Sequence, residues 1–129
     1  MAIPATVLFS VIESPAHPNF TQLYKRLEIR ESKFNSMRKT IAQLKKQRPD
    51  FIVAEFSYGY SSNYAGVNIS NLDVLLASLR KYAPQARVIV MVDKSEQQYV
   101  GKLAELFPLY AVLPLPIRER DMEAVLTAT

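Results

Sequence analysis

Hydrophobic positions along the chain fall into blocks of two kinds. Thr6 to Ile12 (Thr-Val-Leu-Phe-Ser-Val-Ile) is almost continuously apolar and predicts a parallel strand buried on both faces. Pro49-Asp-Phe-Ile-Val-Ala-Glu-Phe56 and Arg87 to Val92 read the same way, the latter ending at Asp93, and Leu109 to Leu113 predicts a last strand. Between them the apolar residues space out. Leu72, Leu75, Leu76 and Leu79 mark one face of a helix ending near Tyr82-Ala-Pro84, with Ser70 and Asp73 placed as a capping pair. Ser95 and Gln98 predict the start of another helix, with Tyr99, Leu103, Leu106 and Phe107 facing inward until Pro108. A final amphipathic helix carries Met122, Val125 and Leu126.

The span from Asn19 to Gln47 admits two readings. One is a short helix to Arg26, a modest strand from Leu27 to Glu31, and a helix from Ser36 to Gln47. The other is one long helix, because Phe20, Leu27, Phe34 and Ile41 recur every seven residues without Gly or Pro. Ser32, Asn35 and Ser36 prefer caps and turns and so favour the split. Strands that alternate with helices through right-handed connections build a parallel sheet covered on both faces.

Composition narrows the setting. At 129 residues the chain is of single-domain length and buries roughly two-thirds of its unfolded surface. It has no Cys, hence neither a disulfide framework nor thiolate chemistry. The opening Met-Ala-Ile-Pro-Ala-Thr does not resemble a signal peptide, and no apolar run is long enough to span a bilayer. The expectation is a cytoplasmic protein with no membrane association.

The net charge of +4 is uneven. Lys25 to Arg48 holds nine Lys/Arg against Glu28 and Glu31, a pattern suited either to nucleic acid or to a solvated outer face. Glu13, Glu55 and Asp93 each follow a strand, so they could meet at one sheet edge and hold a divalent ion, or stay apart and hydrated. Tyr58, Tyr60 and Tyr64 lie in a stretch from Ser57 to Ser70 rich in Tyr, Ser, Asn and Gly, the composition of adaptable recognition loops. His17 is the only His and stands near no nucleophile motif. There is no Gly-x-Ser-x-Gly, P-loop or Gly-x-Gly-x-x-Gly.

Three words in order carry a family resemblance: Arg48-Pro-Asp-Phe-Ile-Val-Ala-Glu55, Leu75-Leu-Ala-Ser-Leu-Arg-Lys-Tyr-Ala-Pro-Gln-Ala-Arg-Val-Ile-Val-Met-Val92 and Ala111-Val-Leu-Pro-Leu-Pro-Ile117. Across residues 37 to 127 the chain resembles the receiver domain of two-component response regulators. The resemblance implies a flavodoxin-like, doubly wound parallel α/β sheet of about five strands in the order 2-1-3-4-5, spanning residues 1–129 as one domain.

It also implies a reaction centre, and this chain departs from it at each part. The phosphoacceptor position falls on Glu55, the hydroxyl that ends the fourth strand on Val92, and the Lys of the family's cis Lys-Pro pair on Leu115. The acidic pair after the first strand falls on Val11 and Ile12, with Glu13 beyond. Phosphoryl transfer depends on positioning and charge neutralisation, and Mg²⁺ on several oxygen ligands, so these replacements imply a receiver that does not cycle through phosphorylation. Val92 and Leu115 are expected to line a metal-free apolar pocket. The expected function is therefore non-enzymatic, without cofactor or metal, and works through a protein partner or a homodimer. By resemblance, the partner surface includes Tyr99, Lys102 and Tyr110. The alternatives are a metal-dependent enzyme or ligand-binding protein at the three carboxylates, and nucleic-acid binding through residues 25–48.

Overall fold

A computed structural model describes residues 6–12, 18–57 and 72–128. Strands β1 (Thr6–Val11), β2 (Ile29–Phe34), β3 (Phe51–Glu55), β4 (Arg87–Val92) and β5 (Ala111–Pro114) form one sheet in the order β2-β1-β3-β4-β5. Every pairing is parallel. Five helices, α1 (Thr21–Arg26), α2 (Met37–Leu44), α3 (Asp73–Tyr82), α4 (Gln97–Leu106) and α5 (Glu119–Thr127), alternate with the strands. This is the doubly wound arrangement and strand order expected from the sequence.

Side chains on a strand alternate between faces, so each central strand feeds two cores. Phe9, Val11, Ile52, Ala54, Val88, Val90 and Val92 pack against Leu44 of α2, Leu75, Leu76 and Leu79 of α3, and Val100 and Leu103 of α4. On the other face, Leu8, Phe51, Val53, Ile89 and Met91 meet Leu23 and Tyr24 of α1 and Met122 and Leu126 of α5. Arg26 on α1 spans to α5, reaching Glu119 at 2.7 Å and Glu123 at 3.1 Å. That cluster is exposed, so packing rather than charge holds the two helices to the sheet.

Residues 19–47 form helix, strand and helix, and the single long helix is corrected. Glu28 adopts a left-handed conformation (φ 61°), which α-helix cannot continue. β2 then pairs along all of β1, from Thr6 with Ile29 to Val11 with Phe34. The seven-residue repeat is real but divided: Phe20 and Leu27 pack on the α1/α5 face, Phe34 and Ile41 on the α2–α4 face. Sheet pairing places Ile29 and Phe34 in separate cores, and Phe34 meets the Phe9 ring edge-on at 4.9 Å. β2 runs later than the expected Leu27–Glu31, because the turn itself occupies Leu27 and Glu28.

Ser36 caps α2, accepting the Lys39 backbone N–H at 3.1 Å. Ser36→Ala is expected to lower stability by about 1 kcal/mol in chemical denaturation, whereas a loss near zero would mean that solvent serves that N–H equally well. The helix ends at Leu44, short of Gln47.

In the second half, β4 has the expected limits. Ser95 does not cap α4: it lies in a 3-10 turn over Lys94–Glu96, its hydroxyl 3.4 Å from the Asp93 carboxylate, and α4 starts at Gln97. The tighter turn satisfies the chain after β4 and displaces the helix start. Leu106, expected inside, is 52% exposed; the inward row is Val100 and Leu103, and the Leu106 carbonyl instead accepts from Arg80. β5 begins at Ala111, not Leu109. Ser70 lies outside the described residues, and Leu72 takes the position before α3 with no side-chain cap.

Candidate functional site at the carboxyl edge of the sheet

Parallel α/β sheets gather ligands where their strands end. Here β3 ends in Glu55, half-buried and in register with Met91 of β4. The next residue, Phe56, is buried, and its N–H donates to the Met91 carbonyl at 2.8 Å. β4 ends in Val92, wholly buried in the α2–α4 core. The Leu115 N–H donates to the Val92 carbonyl at 2.8 Å, and the Leu115–Pro116 peptide is cis. Leu115 packs with the α1/α5 core. The expectation of one pocket shared by Val92 and Leu115 is therefore corrected: sheet alternation directs the two side chains to opposite cores.

β1 ends in Val11, fully buried, and the Ile12 N–H donates to the Phe34 carbonyl at 2.7 Å. Among the described residues, β1 and β4 end in aliphatic side chains and Leu115 follows β5, while β3 ends in a carboxylate and Asp93 stands one residue past β4. A valine cannot donate to an oxyanion and a leucine cannot neutralise one, so neither side chain would stabilise a phosphoryl group beside Glu55.

The remaining expected site residues are spread out. Glu13, His17, Tyr58, Tyr60 and Tyr64 lie outside the described residues. Asp93 is exposed, one residue past the end of β4. Among the described residues no group of three or more His, Cys, Asp and Glu side chains is placed to hold a metal ion. Tyr99 is half-buried against the α2–α4 core, and Lys102 is exposed on α4.

Tyr110 precedes β5 at the opposite edge. It is 38% exposed, its ring faces Phe51 and Arg87, and its hydroxyl lies 3.3 Å from the Ala128 carbonyl. The basic run 25–48 is also divided. Lys25 and Arg26 belong to α1, Arg30 and Lys33 to β2, and Arg38 and Lys39 to α2, with Lys45, Lys46 and Arg48 just beyond it.

One polar cluster was not foreseen. Ser10, fully buried in β1, donates to Glu31 Oε2 at 2.5 Å, and the Thr21 hydroxyl donates to Glu31 Oε1 at 2.9 Å. Tyr24 is buried beside them. Burial pushes its phenol well above the usual tyrosine range, the Glu31 charge adds to this, and a hydrogen bond with Ser10 works the other way. The sequence signal was Ser10, a polar residue inside an apolar strand. Its partner stands 21 positions away in a run that reads as surface.

No family model matches this sequence, and no curated protein matches it. Solved structures do. A signal receiver domain from Vibrio parahaemolyticus, of a protein described as a Luxo repressor, superposes with a TM-score of 0.73 at 14% identity, over 95% of this chain and 88% of that one. A CheY-like response regulator receiver domain protein from Methanospirillum hungatei gives 0.74 at 9% identity, over 95% and 91%. A response regulator from Burkholderia pseudomallei, with a phosphorylated aspartic acid, a calcium ion and citrate, gives 0.65 at 12% identity, over 95% and 67%. At these identities the likeness is one of fold. No helix among the described residues is long and apolar enough to cross a membrane. Strand order, parallel pairing and these superpositions agree: the chain has the receiver fold of two-component response regulators.

Proposed function

We propose that residues 1–129 act as one receiver-like signalling or adaptor domain, working through protein–protein contact rather than through phosphorylation. The observation that carries this reading is the side-chain set at the carboxyl edge: Glu55 ends β3, Val92 is sealed in one core and Leu115 packs on the other. The Burkholderia pseudomallei regulator shows what the same fold can hold, a phosphorylated aspartic acid together with a calcium ion. A phosphoryl group on Glu55 would find no hydroxyl at Val92 and no amine at Leu115, while charge neutralisation is most of what phosphoryl transfer requires.

The adaptor reading places the protein in the cytoplasm and gives it no enzymatic step. Its partner surface on the receiver pattern includes Tyr99, Lys102 and Tyr110, and a second copy of the chain is the simplest occupant. Incubation with acetyl phosphate and Mg²⁺ tests the chemical half of this proposal. Intact mass should be unchanged, and a stoichiometric phosphoryl adduct on Glu55 would overturn it.

A further inference from the structure

A groove of about 480 Å³ lies between α2 and α3, on one face of the sheet. Its apolar lining is Ile41 from α2 and Val74, Ala77 and Tyr82 from α3, with Ser78 beside them. Val74 is 58% exposed, the most exposed of the large hydrophobic side chains among the described residues. An isolated surface valine needs no explanation, but this one lines a groove together with Ile41, Ala77 and Tyr82. Val74, Ala77 and Lys81 fall on one stripe of α3 by helical spacing.

Lys45 and Lys81 flank the groove, and the Lys81 ammonium lies 5.3 Å from the Tyr82 ring centroid. α2 adds exposed Arg38 and Lys39, exposed Lys46 follows it, and no acidic residue occurs from Met37 to Arg48. Asp73, at the start of α3, is the one acid lining the groove among the described residues.

We propose that this groove docks an acidic amphipathic helix of a partner protein. The proposal rests on the protein-contact reading above and adds to it a second contact surface, apart from Tyr99, Lys102 and Tyr110, with its own chemistry. An apolar trough with a cationic rim matches a helix that presents leucine-type anchors at i, i+3, i+4 and i+7, flanked by carboxylates. Charge decides against a second copy of this chain, because α2 would then be set against its own positive field. The aliphatic floor decides against nucleic acid. Phosphates gain from the lysines but nothing from Val74, Ala77 or Ile41.

A fluorescent synthetic peptide with leucines at those positions and glutamates elsewhere is the probe, titrated against the whole chain by anisotropy. Saturable binding is expected, with amide shift changes in ¹⁵N spectra concentrated in residues 37–45 and 73–82. Val74→Glu should weaken it about tenfold or more, as should Lys45→Glu combined with Lys81→Glu, because each opposes the peptide at its contact. All three positions are outside the cores, so these variants should fold. Arg120→Glu, exposed on α5 across the sheet, should bind as wild type, and a peptide with lysines in place of the glutamates should not bind.

Failure to saturate, insensitivity to Val74→Glu, or shifts mapping to α4 and β5 would each overturn the inference. So would tighter binding of a short DNA duplex that survives Val74→Glu, which would assign the basic rim to nucleic acid. These results leave the acetyl phosphate outcome untouched, and a phosphoryl adduct on Glu55 would instead remove the reading beneath the inference.

Discussion

Phe9→Ala is expected to remove about 3–5 kcal/mol of stability, the usual cost of cutting a buried aromatic side chain back to a methyl group. Phe9 has no exposed surface and sits mid-strand in β1, which pairs with β2 on one side and β3 on the other. Its ring packs edge-on against Phe34 at 4.9 Å and belongs to the core beneath α2, α3 and α4. Neighbours on a central strand are held by two ladders and cannot collapse into the void, so the cavity cost adds to the lost burial. A domain of this size holds only about 5–15 kcal/mol in total, so the variant should approach its unfolding limit. The urea midpoint measures the loss. A decrease below about 1 kcal/mol would mean that this core is not packed as described. Val74→Ala, at an exposed position, should stay within about 0.5 kcal/mol of wild type.

The second large effect is alkaline. Tyr24 is 1% exposed and its phenol pKa is raised, first by burial and then by the neighbouring Glu31 carboxylate. A group whose folded pKa lies above its unfolded value contributes stability that is complete below the unfolded pKa. That contribution disappears as pH rises toward the folded one. For tyrosine the unfolded value is about 10, so stability should decline above that pH at up to about 1.4 kcal/mol per unit for this one proton.

Of the seven tyrosines, this one should ionise only as the protein unfolds, seen as a missing share of the phenolate absorbance in the native titration. Tyr24→Phe should flatten the slope above pH 10 relative to wild type. It leaves Ser10 and Thr21 still bonded to Glu31. An unchanged slope would show that the phenol is not held neutral by its surroundings.

What could be read from the sequence follows from where each signal is stored. β1, β3 and β4 are continuous apolar runs, and being buried on both faces is itself the reason for that composition. β2 was harder because an edge strand has few obligations. Ile29 is buried, but Arg30 and Lys33 are exposed, so propensity alone leaves helix and strand close. The deciding term was tertiary, namely pairing with β1 and the placing of Phe34 on Phe9.

Ser95 fitted a capping pattern that the 3-10 turn displaced, and Leu106 satisfied a helical period but lay past the last inward turn of α4. The absence of a hydroxyl at Val92 and of an amine at Leu115 could be read directly. That they enter opposite cores could not, since it follows from sheet alternation and from the turn at Pro116. The Ser10–Glu31–Thr21 cluster and the α2–α3 groove join residues far apart in sequence; Ser10, polar inside an apolar strand, is the one local sign of the first, and nothing local marks the second.

An adaptor that does not cycle through phosphorylation requires that the carboxylate ending β3, Glu55, stay unmodified. Wild-type protein and Glu55→Asp, each held with acetyl phosphate and Mg²⁺ and followed by intact mass, test this directly. Restoring the aspartate alone should change nothing, because Val92 and Leu115 would still offer neither hydrogen-bond donor nor cation, so both proteins should keep their starting mass. A stoichiometric phosphoryl adduct on either one would contradict this and return the chain to the phosphorylated receivers whose fold it shares.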